Sequence, residues 1–166
     1  SDRSGITGIA GRMVYEFDGS ACEGYTVTFR FVTRIDTEEM SRLSDIQTSS
    51  HEDGEGKNFN FVSKSFVDER PEKEVKGSAR MDSDGLEVML ERPERQRLEL
   101  DATNFPTQHL FDLIEKARTE ETFYEATIFD ASDDADRIMT TTTIIGKKST
   151  PTSGDPEGKA LGDLAG

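Results

Sequence analysis

Residues 25–35 read YTVTFRFVTRI. In an extended chain Tyr25, Val27, Phe29, Phe31 and Ile35 fall on one face, and Thr26, Thr28, Arg30, Val32 and Arg34 on the other. Alternation of period two over this length predicts a half-buried strand of an antiparallel sheet. Just upstream, GRMVYEF (11–17) sets Met13, Tyr15 and Phe17 opposite Arg12 and Glu16. The two runs are joined by DGSACEG (18–24), so they read as a hairpin whose loop is longer than the tightest types.

The same grammar continues downstream. LSDIQTSS (43–50) and KNFNFVSKSF (57–66) flank the turn HEDGEG. KEVKGSARM (73–81) and LEVMLE (86–91) flank DSDG, where Gly85 supplies the positive φ that such turns favour. RLEL (97–100) completes a set of strands that precedes any helix. The helix follows Pro106: TQHLFDLIEKAR (107–118) carries Leu110, Phe111, Leu113, Ile114 and Ala117 at helical spacing. Thr107 is its expected N-cap, and Leu113 and Ile114 are expected to pack on the sheet. TFYEATIF (122–129) and RIMTTTTIIG (137–146) are two further strands, joined by the acidic loop DASDDAD. One helix among so many strands excludes a doubly wound βαβ fold. The prediction is a mainly β protein: an antiparallel curved sheet, open-barrel-like, with one amphipathic α-helix near 107–118. From Ser149 the chain is rich in Gly, Pro and Ser and reads as a linker or disordered tail, 149–166.

The chain has 166 residues, enough for one domain, but only 33% are hydrophobic, so the core is expected to be thin. Acidic side chains number 34 against 20 basic, a net charge of −14. Such a surface repels phosphate backbones, so nucleic acid is not an expected partner, nor is an anionic membrane surface. No apolar run reaches the roughly 18 residues that a membrane-spanning helix needs, and no transmembrane segment is expected. The opening SDRSGITG is polar and shows no signal peptide.

Motifs for chemistry are sparse. His51 adjoins a solvated turn, and His109 sits in the first turn of the helix; neither has a nucleophile motif beside it. His109 reads as a packing or capping residue and His51 as inert. Asp130, Ser132, Asp134 and Asp136 alternate as calcium ligands could, but the sixth and twelfth positions of an EF-hand loop are here Ala135 and Thr141. The loop reads as a turn stabilised by its own aspartates. Thr140–Thr143 reads as strand. There is no phosphate loop, CxxC pair or dinucleotide fingerprint. No catalytic residue, cofactor site or metal site is therefore assigned. Cys22, the single cysteine, leaves three readings open: a buried inert thiol, a thiolate disfavoured by neighbouring Glu23, or half of a disulfide.

The blocks GRMVYEFDGSACEGYTVTFRFVTRI, LSDIQTSSHEDGEGKNFNF, FPTQHLFDLI and IFDASDDADRIMTTTTIIGKK together resemble the EipB family of alphaproteobacterial cell-envelope-integrity proteins. The resemblance covers nearly everything before residue 149. It implies secretion to the periplasm, an antiparallel β-spiral carrying a helix, and a disulfide from Cys22 to a cysteine near the C-terminus, outside this chain. Against that pattern residues 1–148 are expected to form part of a single β-spiral domain, incomplete at both ends. The implied function is non-enzymatic support of envelope integrity, by binding an unknown periplasmic protein or envelope component. The alternative is a carrier of a lipid or lipoprotein acyl chain, which needs a cleft lined by Phe29, Phe31, Phe59 or Phe61.

Overall fold

The computed structural model describes residues 5–148 together with Gly154 and Pro156. The expectation for 149–166 thus concerns residues that, those two aside, lie outside the described ones. Seven strands form one sheet in chain order: β1 (Ile6–Ser20), β2 (Gly24–Thr37), β3 (Ser41–Glu52), β4 (Asn58–Val67), β5 (Arg70–Asp82), β6 (Gly85–Arg92) and β7 (Gln96–Leu100). Each pairs antiparallel with the next, and β1 and β7 are the two edges. The sheet is therefore open, as the alternation and the single helix anticipate. Then come helix α1 (Pro106–Arg118) and an antiparallel hairpin of β8 (Phe123–Ile128) and β9 (Met139–Ile144).

Register decides which side chains share a face. Tyr25 lies opposite Glu52, Glu52 opposite Phe59, Phe59 opposite Ala79, Ala79 opposite Val88 and Val88 opposite Leu98. The next row of the same face runs from Phe17 through Val27, Ser50, Phe61 and Gly77 to Leu90. This inner face holds the core. Phe59, Phe61, Val75, Leu86, Val88 and Leu90 are buried under Phe105 and Phe129. Phe105 stacks on Phe59 with ring centroids 5.2 Å apart, and Phe129 meets Phe59 and Phe61 edge-on at 6.3 and 6.0 Å. Each such side chain contributes about 1.5–3 kcal/mol by leaving water. Gly77 makes room for this packing: a Cβ there would meet the Met89 carbonyl at 2.6 Å and the Phe61 ring at 2.9 Å.

The lids are not on strands or helix. Phe105 is the residue before α1 and Phe129 follows β8. Between them the chain leaves the sheet, and the excursion closes at its neck where the Phe129 amide donates to the Asn104 carbonyl at 2.9 Å. The helix departs from expectation in two ways. Its N-cap is Phe105, with Pro106 at the first helical position, so Thr107 lies inside the first turn; proline suits that position because the missing N–H would be unpaired anyway. Its buried residues are Thr107 and His109, whereas Leu113 is half-buried and Leu110, Phe111 and Ile114 are exposed. Phe105 and Phe129 already cover the core, so α1 lies chiefly along β8 and leaves its apolar stripe outward.

Candidate functional site

Beyond the two lids the inner face is largely apolar and uncovered on β1 and β2, while on β3 and β4 the same rows present Thr48, Ser50 and Ser63. Ile9, Met13, Tyr15 and Phe17 of β1 lie across from Ile35, Phe31, Phe29 and Val27 of β2. Ile46 of β3 extends the row of Met13 and Phe31. Ile9, Met13, Tyr15, Phe17, Phe31, Ile35 and Ile46 are all exposed, Met13 to 62%. A contiguous apolar patch of this kind marks an interaction surface more often than chance exposure does. One end is walled by aromatics: Phe17 stacks on Tyr25 at 5.6 Å, and Tyr25 meets Phe111 of α1 edge-on at 5.3 Å. The exposed stripe of α1 thus begins where the open face ends.

The four phenylalanines expected to line one cleft divide here. They share the inner face, but Phe59 and Phe61 are 2% and 4% exposed and belong to the packed core. Phe29 and Phe31, stacked at 6.3 Å, belong to the open part, half-buried and exposed respectively. Alternation marks all four as inward; only the positions of Phe105 and Phe129 separate them.

At the rim beside this wall, the loops interlock. The β1–β2 turn sits so close that a Cβ on Gly54 of the β3–β4 turn would collide with the Ala21 carbonyl. Glu52, 1% exposed at the end of β3, accepts the Thr107 amide at 2.7 Å and the Gln108 amide at 3.1 Å. Burial pushes its carboxyl above the usual carboxylate value, and those two N–H bonds pull the other way. Nothing in HEDGEG distinguishes this buried acid from its solvated neighbours, and sequence reasoning missed it.

Cys22 occupies the β1–β2 turn with a free, exposed thiol, so the simplest sequence reading, a buried thiol, is corrected. Ala21, Cys22 and Glu23 of this turn are all exposed, while the Ala21 carbonyl lies close against Gly54. His51 is exposed, its Nδ1 3.2 Å from Thr26 Oγ1. His109 is buried, stacked on Tyr124 at 5.7 Å, with Nδ1 lacking a partner. Asp112 accepts hydrogen bonds from Asn104 at 2.7 Å and from the Tyr124 hydroxyl at 3.3 Å. Burial raises the Tyr124 phenol above its ordinary value, and the neighbouring Asp112 charge adds to the effect. These contacts tie α1 to β8 and aim no group into the open face.

Three of the four aspartates of the acidic loop meet protein partners. Ala131 and Ala135 point into the core, so the intervening aspartates point out. Asp130 accepts the Ser132 amide at 2.9 Å, Lys73 of β5 binds Asp134 at 2.6 Å, and Arg137 pairs with Asp133. Among the described residues no group of three or more His, Cys, Asp and Glu side chains is arranged to hold a metal ion. Also among them, no helix is long and apolar enough to cross a membrane.

With this geometry in hand, comparisons with known proteins are specific. A family model described as EipB-like matches residues 1–166. The cell envelope integrity protein EipB of Brucella abortus is 49% identical over 165 residues, which is 99% of this chain and 58% of that protein. The chain therefore spans less than two thirds of that relative's length. A crystal structure of a beta-barrel-like protein of a domain of unknown function, also from Brucella abortus, superposes with a TM-score of 0.93 at 49% identity, over 98% of this chain and 67% of its own.

Proposed function

This chain belongs to the EipB-like family, and on that premise we propose that it works in the periplasm, supporting envelope integrity by binding a protein or envelope component. The observation that carries the reading is the open half of the inner face, where β1 and β2 hold Ile9, Met13, Tyr15, Phe31 and Ile35 exposed. The relative's name states a role in the envelope and no reaction. A binding role needs only such a face and a rim that orients the partner, and no catalytic constellation is assigned to it. A disulfide from Cys22 belongs to the same proposal, since an exposed thiol on a turn is open to a partner from elsewhere in a longer chain.

Deletion of the gene should sensitise cells to detergents and wall-directed antibiotics. A Met13→Asp/Tyr15→Asp variant, secreted at normal level, should fail to restore resistance. Full restoration by that variant would remove the open face from the function. A second reading, an acyl-chain carrier, is favoured by the stacked Phe29–Phe31 pair beside Tyr15 and Met13. Native mass spectrometry of protein purified from its own periplasm separates the two: retained lipid supports the carrier, and a retained protein supports the first reading.

A further inference from the structure

We propose that α1 is a strap hinged at Phe105 and latched to the sheet by Glu52, and that the latch sets the width of the aromatic mouth between Phe111 and Tyr25. Three observations carry this. First, residues between Phe105 and Phe129 form an excursion pinned at both ends: the two phenylalanines are fully buried, and the Asn104–Phe129 hydrogen bond closes the neck. Within it α1 lies chiefly against β8, to which it is tied through His109–Tyr124, Tyr124–Asp112 and Lys116 over the Tyr124 ring at 5.7 Å, and β8 is paired in turn with β9. Second, the helix brings no cap of its own. It has no side-chain cap bond at Phe105 and no acidic residue in its first turn. The amides of Thr107 and Gln108 are instead met by the two carboxylate oxygens of Glu52, 55 and 56 residues away in sequence. A helix start needs acceptors for these amides and favours negative charge there. Here both come from the sheet, so the cap also helps seat the helix, beside the Gln108 side chain that packs over Gly56 of the β3–β4 turn. Third, the side of α1 that meets the open face does so through a single aromatic contact, Phe111 with Tyr25, while Leu110 and Ile114 stay exposed. Releasing Glu52 leaves the core under Phe105 and Phe129 in place and frees the helix to turn away from Tyr25.

The consequence for binding rests on the function proposed above; the latch itself is read without any ligand, so the two can fail separately. Hydrogen exchange on the 166-residue chain and its variants Glu52→Ala, Glu52→Gln and Glu52→Asp reports it. Asp keeps the charge but is one methylene too short. Losing a helix cap changes an opening equilibrium by a factor of roughly 2–30. All three variants should exchange faster by about that factor within residues 107–118, with β4 and β6 unchanged. The ring-to-ring nuclear Overhauser contact between Phe111 and Tyr25 should disappear in Glu52→Ala. Unchanged exchange in 107–118, or a surviving Phe111–Tyr25 contact, overturns the latch. Acceleration spread equally through β4 and β6, or loss of fold in all three variants, overturns it too, since Glu52 would then be a structural member of the core.

Discussion

Strands β4 to β6 and strands β1 to β2 carry the same alternation and end in opposite environments. Phe59 and Phe61 are closed over, whereas Met13, Tyr15 and Phe31, on neighbouring rows of the same face, are open. The difference lies outside the strands. Two phenylalanines in connecting segments, Phe105 and Phe129, settle over one half and leave the other bare. A period-two pattern states which way a side chain points; it does not state what stands above it.

The sharpest way to break this contrast is truncation on both sides of it. Phe59→Ala or Phe129→Ala should cost on the order of 3–5 kcal/mol, because each removes a buried ring. Met13→Ala should stay within about 0.5 kcal/mol, as an exposed side chain does. Urea unfolding of the 166-residue chain measures both. Equal losses in the two halves would mean the open half is covered in solution, by a second copy or by a bound molecule.

Next in size is Gly77→Ala. Its added methyl presses on the Met89 carbonyl and the Phe61 ring, so overpacking should cost about 1–3 kcal/mol. On the open half, a Cβ at Gly11 would meet the Val32 carbonyl at 3.3 Å and the Phe31 ring at 3.6 Å, a looser fit than at Gly77, and Gly11→Ala should cost less than Gly77→Ala in the same assay. A neutral Gly77→Ala would show that the covered half is loosely packed.

Most of the fold was legible from the alternation. Seven strands before one helix, their antiparallel order and the closing hairpin follow from runs such as YTVTFRFVTRI and KNFNFVSKSF and from turn residues such as Gly85. The lids were not legible. Phe105 stands outside any periodic run, and Phe129 reads only as the last residue of the strand run TFYEATIF, although β8 ends at Ile128; neither position carries a signal that its ring covers the core. The helix was misread for the same reason: its stripe is amphipathic, but the covering role it suggests had been taken by Phe105 and Phe129. Glu52 was invisible because its partners are backbone amides, which leave no mark in side-chain pattern. The exposed Cys22 could be placed on a turn from sequence, yet its environment depends on how that turn stacks on Gly54.

The misread helix makes the third test. If Leu113 were core, its truncation would cost on the order of 2–5 kcal/mol; half-buried as it is, Leu113→Ala should cost about 1–2 kcal/mol. A loss as large as that of Phe59→Ala would put α1 on the core and restore the amphipathic reading.

The smallest effect concerns how the lid over the covered half is fastened. The acidic loop that carries Ala131 and Ala135 into the core is tied to β5 by Lys73, whose Nζ meets Asp134 at 2.6 Å and the Asp133 carbonyl at 2.9 Å. The hydrogen bond and charge of Lys73 hold the Asp134 carboxyl below the ordinary value. A carboxylate whose pKa is lower folded than unfolded adds stability that is fully present above the unfolded value, about 3.9. That contribution fades as pH falls through the lowered folded value. Wild type should therefore exceed Asp134→Asn slightly at pH 7 and converge with it below about pH 4. Both groups are well exposed, so added salt should shrink the gap at pH 7. Thermal melts across this range, with and without salt, give the comparison. A gap that persists unchanged in acid and in high salt would mean that Asp134 holds the loop through its backbone turn and not through Lys73. The covered half would then owe its lid to local turn geometry alone.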